Sequence, residues 1–439
     1  LQFFILFMMN SVCISKSKSK LQGTVRLPPS KSHTLRSILF ASLAYGASKI
    51  TNVLSSPDTE AMISACRILG AEITVENGMT IRGRGGNLAL CDHLIDAQNS
   101  GQVLRFIAAC GALSSDYLYI TGDASIKTKR PVMPLCDGIH QLGGLAIACG
   151  NDNHAPIIVK GPIKSGNVII DGADSQPVSA LLIVASQLEG ETRITVQNMG
   201  ERPWLLLTLD WLKRLGVSCG CEGENVFIVE GKKEIQGFTY KVPGDLSSLA
   251  FFLVAALICE SDIVIEDVDF DDVQGDKVII EILEAMNARF DKDIKNKKIA
   301  VRGPQELIGI DIDVNNCVDA LPILAVCGSF ASGKTRLYNG AICRHKESDR
   351  IHAMCTELSK MGAHIVEKSD GLIIEKSSLS GGELFSWQDH RVALALSVAA
   401  LSASTPSTIL EANCIQKSYP SFFADCKMLG AFVENAHSF

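Results

Sequence analysis

The sequence has little of what marks a nucleic-acid binder, a zinc domain or a membrane protein. Aromatics make up 6% of its 439 residues, so small aliphatic side chains must carry the packing. Positive charge is in deficit. A formal charge of −7 argues against a binder dominated by nucleic-acid phosphates, and leaves room only for a locally basic site. Fifteen cysteines form no C-x-x-C pair, and Cys219 and Cys221 are too isolated to be half of a zinc site. Most sit in apolar runs and read as buried thiols of a reducing cytosol. Past the start of the chain, no apolar run is long and unbroken enough to cross a bilayer. Leu1–Met9 is apolar and is followed by the basic run Ser15–Lys20. That order is the reverse of a secretory signal. Residues 1–20 therefore read as an extension, with translation starting at Met8 or Met9. Hydrophobic residues reach 47% against 20% charged, which gives ample core and excludes a disordered chain.

What is present is a repeat. Six times the chain runs through an apolar helix, a short strand, a second helix and a closing signal. The closers are Leu69-Gly70, Leu142-Gly143, Leu215-Gly216, Met286-Asn287, Met361-Gly362 and Leu429-Gly430, at steps of 73, 73, 71, 75 and 68 residues. A fixed period marks a repeated supersecondary unit. The Gly or Asn after each helix suits a left-handed C′ residue, where a Cβ would clash. Copies one to three occupy 30–244 and copies four to six 245–439. The leading strand Leu21–Leu27 is expected to complete the last repeats, so residues 21–29 join the second domain. Pro28-Pro29 and Pro243-Gly244 mark the two crossings.

Polar residues gather at the helix starts. The first helices open at Ser30-Lys31-Ser32, Asn99-Ser100-Gly101, Asp174-Ser175-Gln176, Asp245-Leu246-Ser247-Ser248, Asn316-Cys317-Val318-Asp319 and Asp389-His390-Arg391. The second helices open at Lys129-Arg130-Pro131, at Arg344–Arg350 and at Lys417-Ser418. N-capping accounts for Ser, Asn and Asp. It does not account for Lys31, Arg36, Arg130, Arg350, Arg391 and Lys417, because a cation at a helix N-terminus opposes the dipole. Each needs an anionic partner, which favours a substrate with several negative charges.

One motif misleads. Gly328-Ser329-Phe330-Ala331-Ser332-Gly333-Lys334-Thr335 matches G-x-x-x-x-G-K-[ST]. A phosphate-binding loop follows a strand and opens a helix. Here Ala320–Cys327 is expected as helix and Thr335–Tyr338 as strand, the reverse order, so the segment reads as a helix-to-strand turn.

Leu27-Pro28-Pro29-Ser30-Lys31-Ser32 with Arg36, then Asp174-Ser175-Gln176, Gly244-Asp245-Leu246-Ser247-Ser248, Arg344-His345-Lys346-Glu347-Ser348-Asp349-Arg350, Asp389-His390-Arg391 and Lys417 appear in order over nearly the whole chain. This ordered set strongly resembles the EPSP synthases. The resemblance implies a two-lobed inverse α/β barrel of six β-α-β-α-β-β units, three per lobe. It implies transfer of the enolpyruvyl group of phosphoenolpyruvate to the 5-hydroxyl of shikimate 3-phosphate, with no cofactor and no metal.

Carried over position by position, the resemblance makes Glu347 the handler of the methyl proton, Asp319 the base near the 5-hydroxyl, and Lys31 a cationic proton donor. Lys31, Gly101, Arg130, Gln176, Arg350, Arg391 and Lys417 correspond to the phosphoenolpyruvate subsite. Lys31, Ser32, Arg36, Ser175, Gln176, Asp319 and Lys346 correspond to the shikimate 3-phosphate subsite. Both ligands are polyanions, which fits the cations at the helix starts. A monomer in the cytoplasm is expected, with no nucleic-acid or membrane partner.

Some positions depart from the family pattern. Gln102 follows the glycine where Thr is common, Asp174 stands where some members have Ser, and Trp204 replaces a frequent Tyr. Glu201 stands where a phosphate-binding Ser is common, and a carboxylate there repels phosphate. Two other functions compete with this one. The sister enzyme acting on UDP-N-acetylglucosamine has Lys-Asn in place of Lys31-Ser32 and usually a loop Cys, absent from Lys127–Arg130. A non-enzymatic repeat scaffold does not explain acids and arginines clustered at helix starts.

Overall fold

The structure, a computed structural model, describes residues 11–15, 20–231 and 234–435. The chain divides into two compact units: Pro29–Val242, and the described residues on either side of it. Each unit holds three four-stranded sheets, and every sheet has the same plan. In the third copy, Asn167–Asp171 pairs in parallel with Gly190–Gln197. Val226–Gly231 then pairs antiparallel to Gly190–Gln197, and Ser218–Glu222 forms the far edge. The helices Ser175–Ala185 and Arg202–Arg214 connect these strands, giving the order β-α-β-α-β-β. This is an inverse α/β fold, with helices packed at the centre of each unit.

Why the helices lie inside follows from their composition. Every residue of Leu246–Ile258 is buried, and Leu321–Phe330 and His390–Ser402 are nearly as buried. A helix apolar all round must be covered on every side. These three pack on one another within their unit. The strands show period-two burial: Ser261–Glu266 alternates buried and half-buried residues, with one face turned to the helices.

The closing signals behave as their chemistry demands. Gly70, Gly143, Gly216, Gly362 and Gly430 all have φ between +78° and +100°, and Asn287 has φ +74°. Asn is the non-glycine residue that best tolerates this region.

Three of the sheets borrow a strand from elsewhere in the chain. Leu21–Arg26 pairs in parallel with Ser261–Glu266 and so completes the fourth copy. Thr239–Lys241 pairs with Tyr45–Thr51 and completes the first. The chain thus exchanges two strand-to-helix connections, and the Asp245 N–H donates to the Pro28 carbonyl at 2.8 Å where they meet. The third borrowed strand corrects the reading of residues 1–20 as an extension. Val12–Ser15 lies between Ser407–Leu410 and Phe432–Asn435 and completes the sixth copy. Ile14 is 1% exposed. Two apolar residues among serines and lysines are too short a pattern to announce a strand. Residues 1–10 and 16–19, which include Met8, Met9 and most of the basic run, lie outside the described residues.

The G-x-x-x-x-G-K-T segment is a helix-to-strand turn. Leu321–Phe330 is helix, Gly333 has φ +86°, and Lys334–Tyr338 is strand. The Lys334 side chain is exposed and pairs with Glu375 at 3.3 Å. Among the described residues, no helix is long and apolar enough to cross a membrane.

Candidate active site

Five of the six first helices are capped by the short polar side chain that the sequence offers. Ser30 accepts from His33 N–H, Ser100 from Val103, Asp174 from Gln176, Asp245 from Ser248 and Asp389 from Arg391. The fifth copy breaks the rule. Its helix begins only at Leu321, after a 3₁₀ turn over Val318–Ala320, and no side chain caps it. Asp319 is therefore not a cap, and its carboxylate is spent on cations. Oδ1 accepts from Arg350 Nη1 at 2.5 Å, and Oδ2 accepts from Arg391 Nη2 at 3.4 Å. Burial acts to raise this carboxyl, but Arg391, Arg350 and Lys346 overrule it and hold it well below the usual carboxylate range.

Arg350 opens the helix Arg350–Lys360 and is 1% exposed. Its Nε donates to Asp389 Oδ2 at 2.8 Å, and Nη2 to Glu347 Oε2 at 3.0 Å. Its anionic partners are thus three carboxylates of the chain itself. A guanidinium this deep must be neutralised at all times. Burial would lower its pKa, but Asp389, Asp319 and Glu347 drive it well above the ordinary value. A cation at a helix start thus need not rely on a bound anion alone: at Arg350 the chain supplies carboxylates of its own.

Glu347 is bracketed by cations. Its other oxygen, Oε1, accepts from Lys417 Nζ at 2.8 Å, with the two side chains 7% and 10% exposed. Lys417 ends the 3₁₀ stretch Ala412–Lys417, and the second helix of the sixth copy starts later, at Phe422. The expectation that Lys417 opens that helix does not hold. Lys346 is 4% exposed and adds positive potential at Asp319. Asp319, Lys346, Glu347, Arg350, Arg391 and Lys417 therefore form one charged group within a single unit.

The other unit assembles a second group. Lys31 is the first residue of its helix, and its Nζ lies 3.8 Å from Asp58 Oδ2. Ser100 Oγ donates to that same oxygen at 3.1 Å, which links Lys31 to the helix start holding Gly101. A Cβ on Gly101 would come within 2.9 Å of Gln176 Oε1 and 3.6 Å of Arg130 Cζ. Glycine here lets three predicted residues converge. Arg130 is buried just after the helix Ala124–Lys129. Arg36 is fully buried; Nε and Nη2 donate to Thr208 Oγ1 at 3.1 and 2.9 Å, and Nη1 to the Ser32 carbonyl at 3.4 Å. Burial alone brings its pKa down to about 9. Ser175 donates through both its N–H and its hydroxyl to Glu201 Oε2, each at 3.2 Å.

Several participants were not anticipated. Arg105 sits one turn after Gly101, donates to the Pro131 carbonyl at 2.9 Å and pairs with Asp174 at 3.4 Å. A lone arginine in an apolar helix was the available signal. Asp389, a helix start by its place in the sequence, also binds Arg350 and accepts from Ser348 Oγ at 3.1 Å. Asp276, in a 3₁₀ turn, is 1% exposed and adds negative potential beside Asp319. His33 is a core residue, accepting from Trp211 Nε1 at 3.1 Å. The buried thiols of Cys66 and Cys327 are pushed up to about 12 by burial, which makes them poor nucleophiles.

Comparison with known proteins gives a consistent picture. The family model described as EPSP synthase (3-phosphoshikimate 1-carboxyvinyltransferase) matches residues 15–426. A protein of Acetivibrio thermocellus named 3-phosphoshikimate 1-carboxyvinyltransferase is 40% identical, over 95% of this chain and 98% of its own. One of the same name from Chlamydia caviae is 41% identical, over 96% and 94%. The solved structure of an EPSP synthase from Acinetobacter baumannii superposes with a TM-score of 0.81 at 30% identity, covering 97% of this chain and 99% of that one.

Proposed function

The chain belongs to the EPSP synthase family, and from that premise we infer that it transfers the enolpyruvyl group of phosphoenolpyruvate to the 5-hydroxyl of shikimate 3-phosphate, giving 5-enolpyruvylshikimate 3-phosphate and phosphate. The observation that carries the reading is the diversion of Asp319 from capping into a guanidinium pair, beside a Glu347 held by Lys417.

The reaction needs that combination. The 5-hydroxyl adds to C2 while C3 of the enol gains a proton and the hydroxyl gives one up. The tetrahedral intermediate then breaks its C2–O bond to phosphate, and the new methyl returns a proton. Acid and base must stand near the same two carbons and exchange roles. We assign the methyl proton to Glu347, the hydroxyl proton to Asp319 and proton donation towards the leaving group to Lys31. Gly101, Arg130, Gln176, Arg350, Arg391 and Lys417, with Lys31, bind phosphoenolpyruvate. Ser32, Arg36, Ser175, Gln176 and Lys346, with Lys31 and Asp319, bind the acceptor. Cations fixed by protein carboxylates are preorganised to meet charge that shifts during phosphate loss. A reducing cytoplasm is supported by fifteen free thiols, and we take the enzyme to act there as a monomer.

The test is phosphate release from purified protein. Release is expected with phosphoenolpyruvate and shikimate 3-phosphate together. Release with UDP-N-acetylglucosamine as acceptor, or none with either, would reject the reading.

Arg391 separates the subsites. It touches Asp319 through one nitrogen, while its Nε is buried without a hydrogen-bond partner. Arg391→Ala is expected to weaken phosphoenolpyruvate about 10²-fold, the scale of a lost charge-assisted clamp, and shikimate 3-phosphate by much less. Equal loss of both, measured by calorimetry, would make the residue structural.

A further inference from the structure

The helix Ser175–Ala185 meets its own anions. Asp174 Oδ1 accepts the Gln176 N–H at 3.0 Å, and its carboxylate pairs with Arg105. Glu201 accepts both donors of Ser175 through Oε2. Glu201 is 3% exposed and stands immediately before the helix Arg202–Arg214, with φ 51° and ψ 35°. The left-handed residue that recurs in the repeat is Asn198, directly after the strand Gly190–Gln197, as Glu411 is directly after Ser407–Leu410; Glu201 is a further one. What is particular to Glu201 is where its carboxylate goes. A backbone N–H and a hydroxyl converging at a helix start are the donors that an anionic oxygen seeks, and here a carboxylate oxygen has them.

We propose that Glu201 is a resident anion in the acceptor-phosphate subsite. The phosphoryl group of the acceptor must displace it from Ser175, so Glu201 sets acceptor affinity and leaves the donor substrate alone. This rests on the assignment of Ser175 to acceptor binding. Two anionic oxygens cannot share one N–H and one O–H at hydrogen-bond distance without strong repulsion. The incoming phosphate therefore gains only the difference between its own bonds to Ser175 and those that Glu201 gives up. Glu201 also keeps the buried donors satisfied while no acceptor is bound, which an apolar residue could not do.

The experiment is calorimetric titration of shikimate 3-phosphate, with steady-state kinetics, on the wild type, Glu201→Gln and Glu201→Ser. Both variants remove the charge; glutamine keeps an oxygen able to accept from Ser175, whereas serine, two atoms shorter, leaves the Ser175 donors open to phosphate. Acceptor affinity is expected to improve about tenfold, the share of one charge-assisted hydrogen bond. The KM for phosphoenolpyruvate should stay within about twofold. Ser175→Ala supplies the control against a merely structural effect. It should cost little acceptor affinity in the wild type, where Glu201 holds the hydroxyl, and distinctly more in the Glu201→Gln background. Unchanged or weakened acceptor binding in both Glu201 variants, or additive effects with Ser175→Ala, would overturn the proposal. If the wild type bound no shikimate 3-phosphate, the functional reading itself would fall, which is a separate outcome. Should either Glu201 variant fail to fold, the other and Ser175→Ala alone still decide, since a large loss from Ser175→Ala in the wild type contradicts the proposal.

Discussion

Glu347→Gln should keep both substrates bound while turnover falls by about 10²–10⁴, the usual contribution of a placed acid–base group. The structure sharpens the expectation. Each carboxylate oxygen of Glu347 accepts from a different cation, Lys417 at 2.8 Å and Arg350 at 3.0 Å. Glutamine has one oxygen and one NH₂, so it can satisfy only one of them. The other cation is left facing a donor. If that cation is Lys417, phosphoenolpyruvate gains a better partner, so its KM should hold or fall while kcat collapses. Steady-state kinetics reads this split. Incorporation of solvent deuterium into the C3 position of phosphoenolpyruvate reads the proton step itself, and should drop with kcat. A kcat within tenfold of the wild type, with deuterium still entering C3, would remove Glu347 from the proton transfer. Asp319 would then be the remaining carboxylate of the group able to take that part.

How much of this was readable beforehand depends on whether the signal is local. The closers were legible because a left-handed residue after a helix is a demand on one position, and Asn287 obeyed it as well as the glycines. The false phosphate loop could be dismissed because order along the chain was enough. Strand exchange was only half legible. Pro28-Pro29 and Pro243-Gly244 announce breaks, but nothing local says that Leu21–Arg26 pairs with Ser261–Glu266. Val12–Ser15 was missed because its pairing is with the far end of the chain. In the site, residue types and helix starts brought out Arg350, Arg391 and Glu347. They could not show that Arg350 already pairs with three protein carboxylates, since Asp389 looked like an ordinary cap and is one. Asp319 looked the same and is not. The difference is a 3₁₀ turn that delays the helix to Leu321 and turns the carboxylate towards Arg350. Capping preference alone cannot tell these two apart.

Asp276 should make the protein more stable when its charge is removed, and more so at higher pH. The residue is 1% exposed, and neither carboxylate oxygen has a partner at ordinary hydrogen-bond geometry. Gln274, two residues earlier, is anchored to the start of the helix Leu246–Ile258, accepting from Leu246 N–H at 3.2 Å and donating to the Gly244 carbonyl at 3.0 Å. Asp276 is therefore tied close to Asp245 and Ser247 by a short, fixed turn. Burial, then repulsion from Asp319, raises its carboxyl; Arg391 and the Ser247 hydroxyl pull the other way, and the balance is a pKa of about 7 against an ordinary 3.8. The sign follows from linkage. Below about pH 4 the group is protonated in both the folded and the unfolded chain, and it contributes nothing. Between about pH 4 and 7 the unfolded chain releases the proton and the fold retains it, so stability falls by about 1.4 kcal/mol per pH unit. Above about pH 7 both states are ionised and the penalty levels off, on the order of 4 kcal/mol. Asparagine has nearly the same shape and no such penalty. Asp276→Asn should thus match the wild type in urea unfolding near pH 4, gain stability over it up to pH 7, and hold a constant advantage of a few kcal/mol at pH 8. An advantage that shrinks as pH rises, or a loss at pH 8, would mean that Asp276 is ionised at neutral pH and serves Arg391 as a counter-ion.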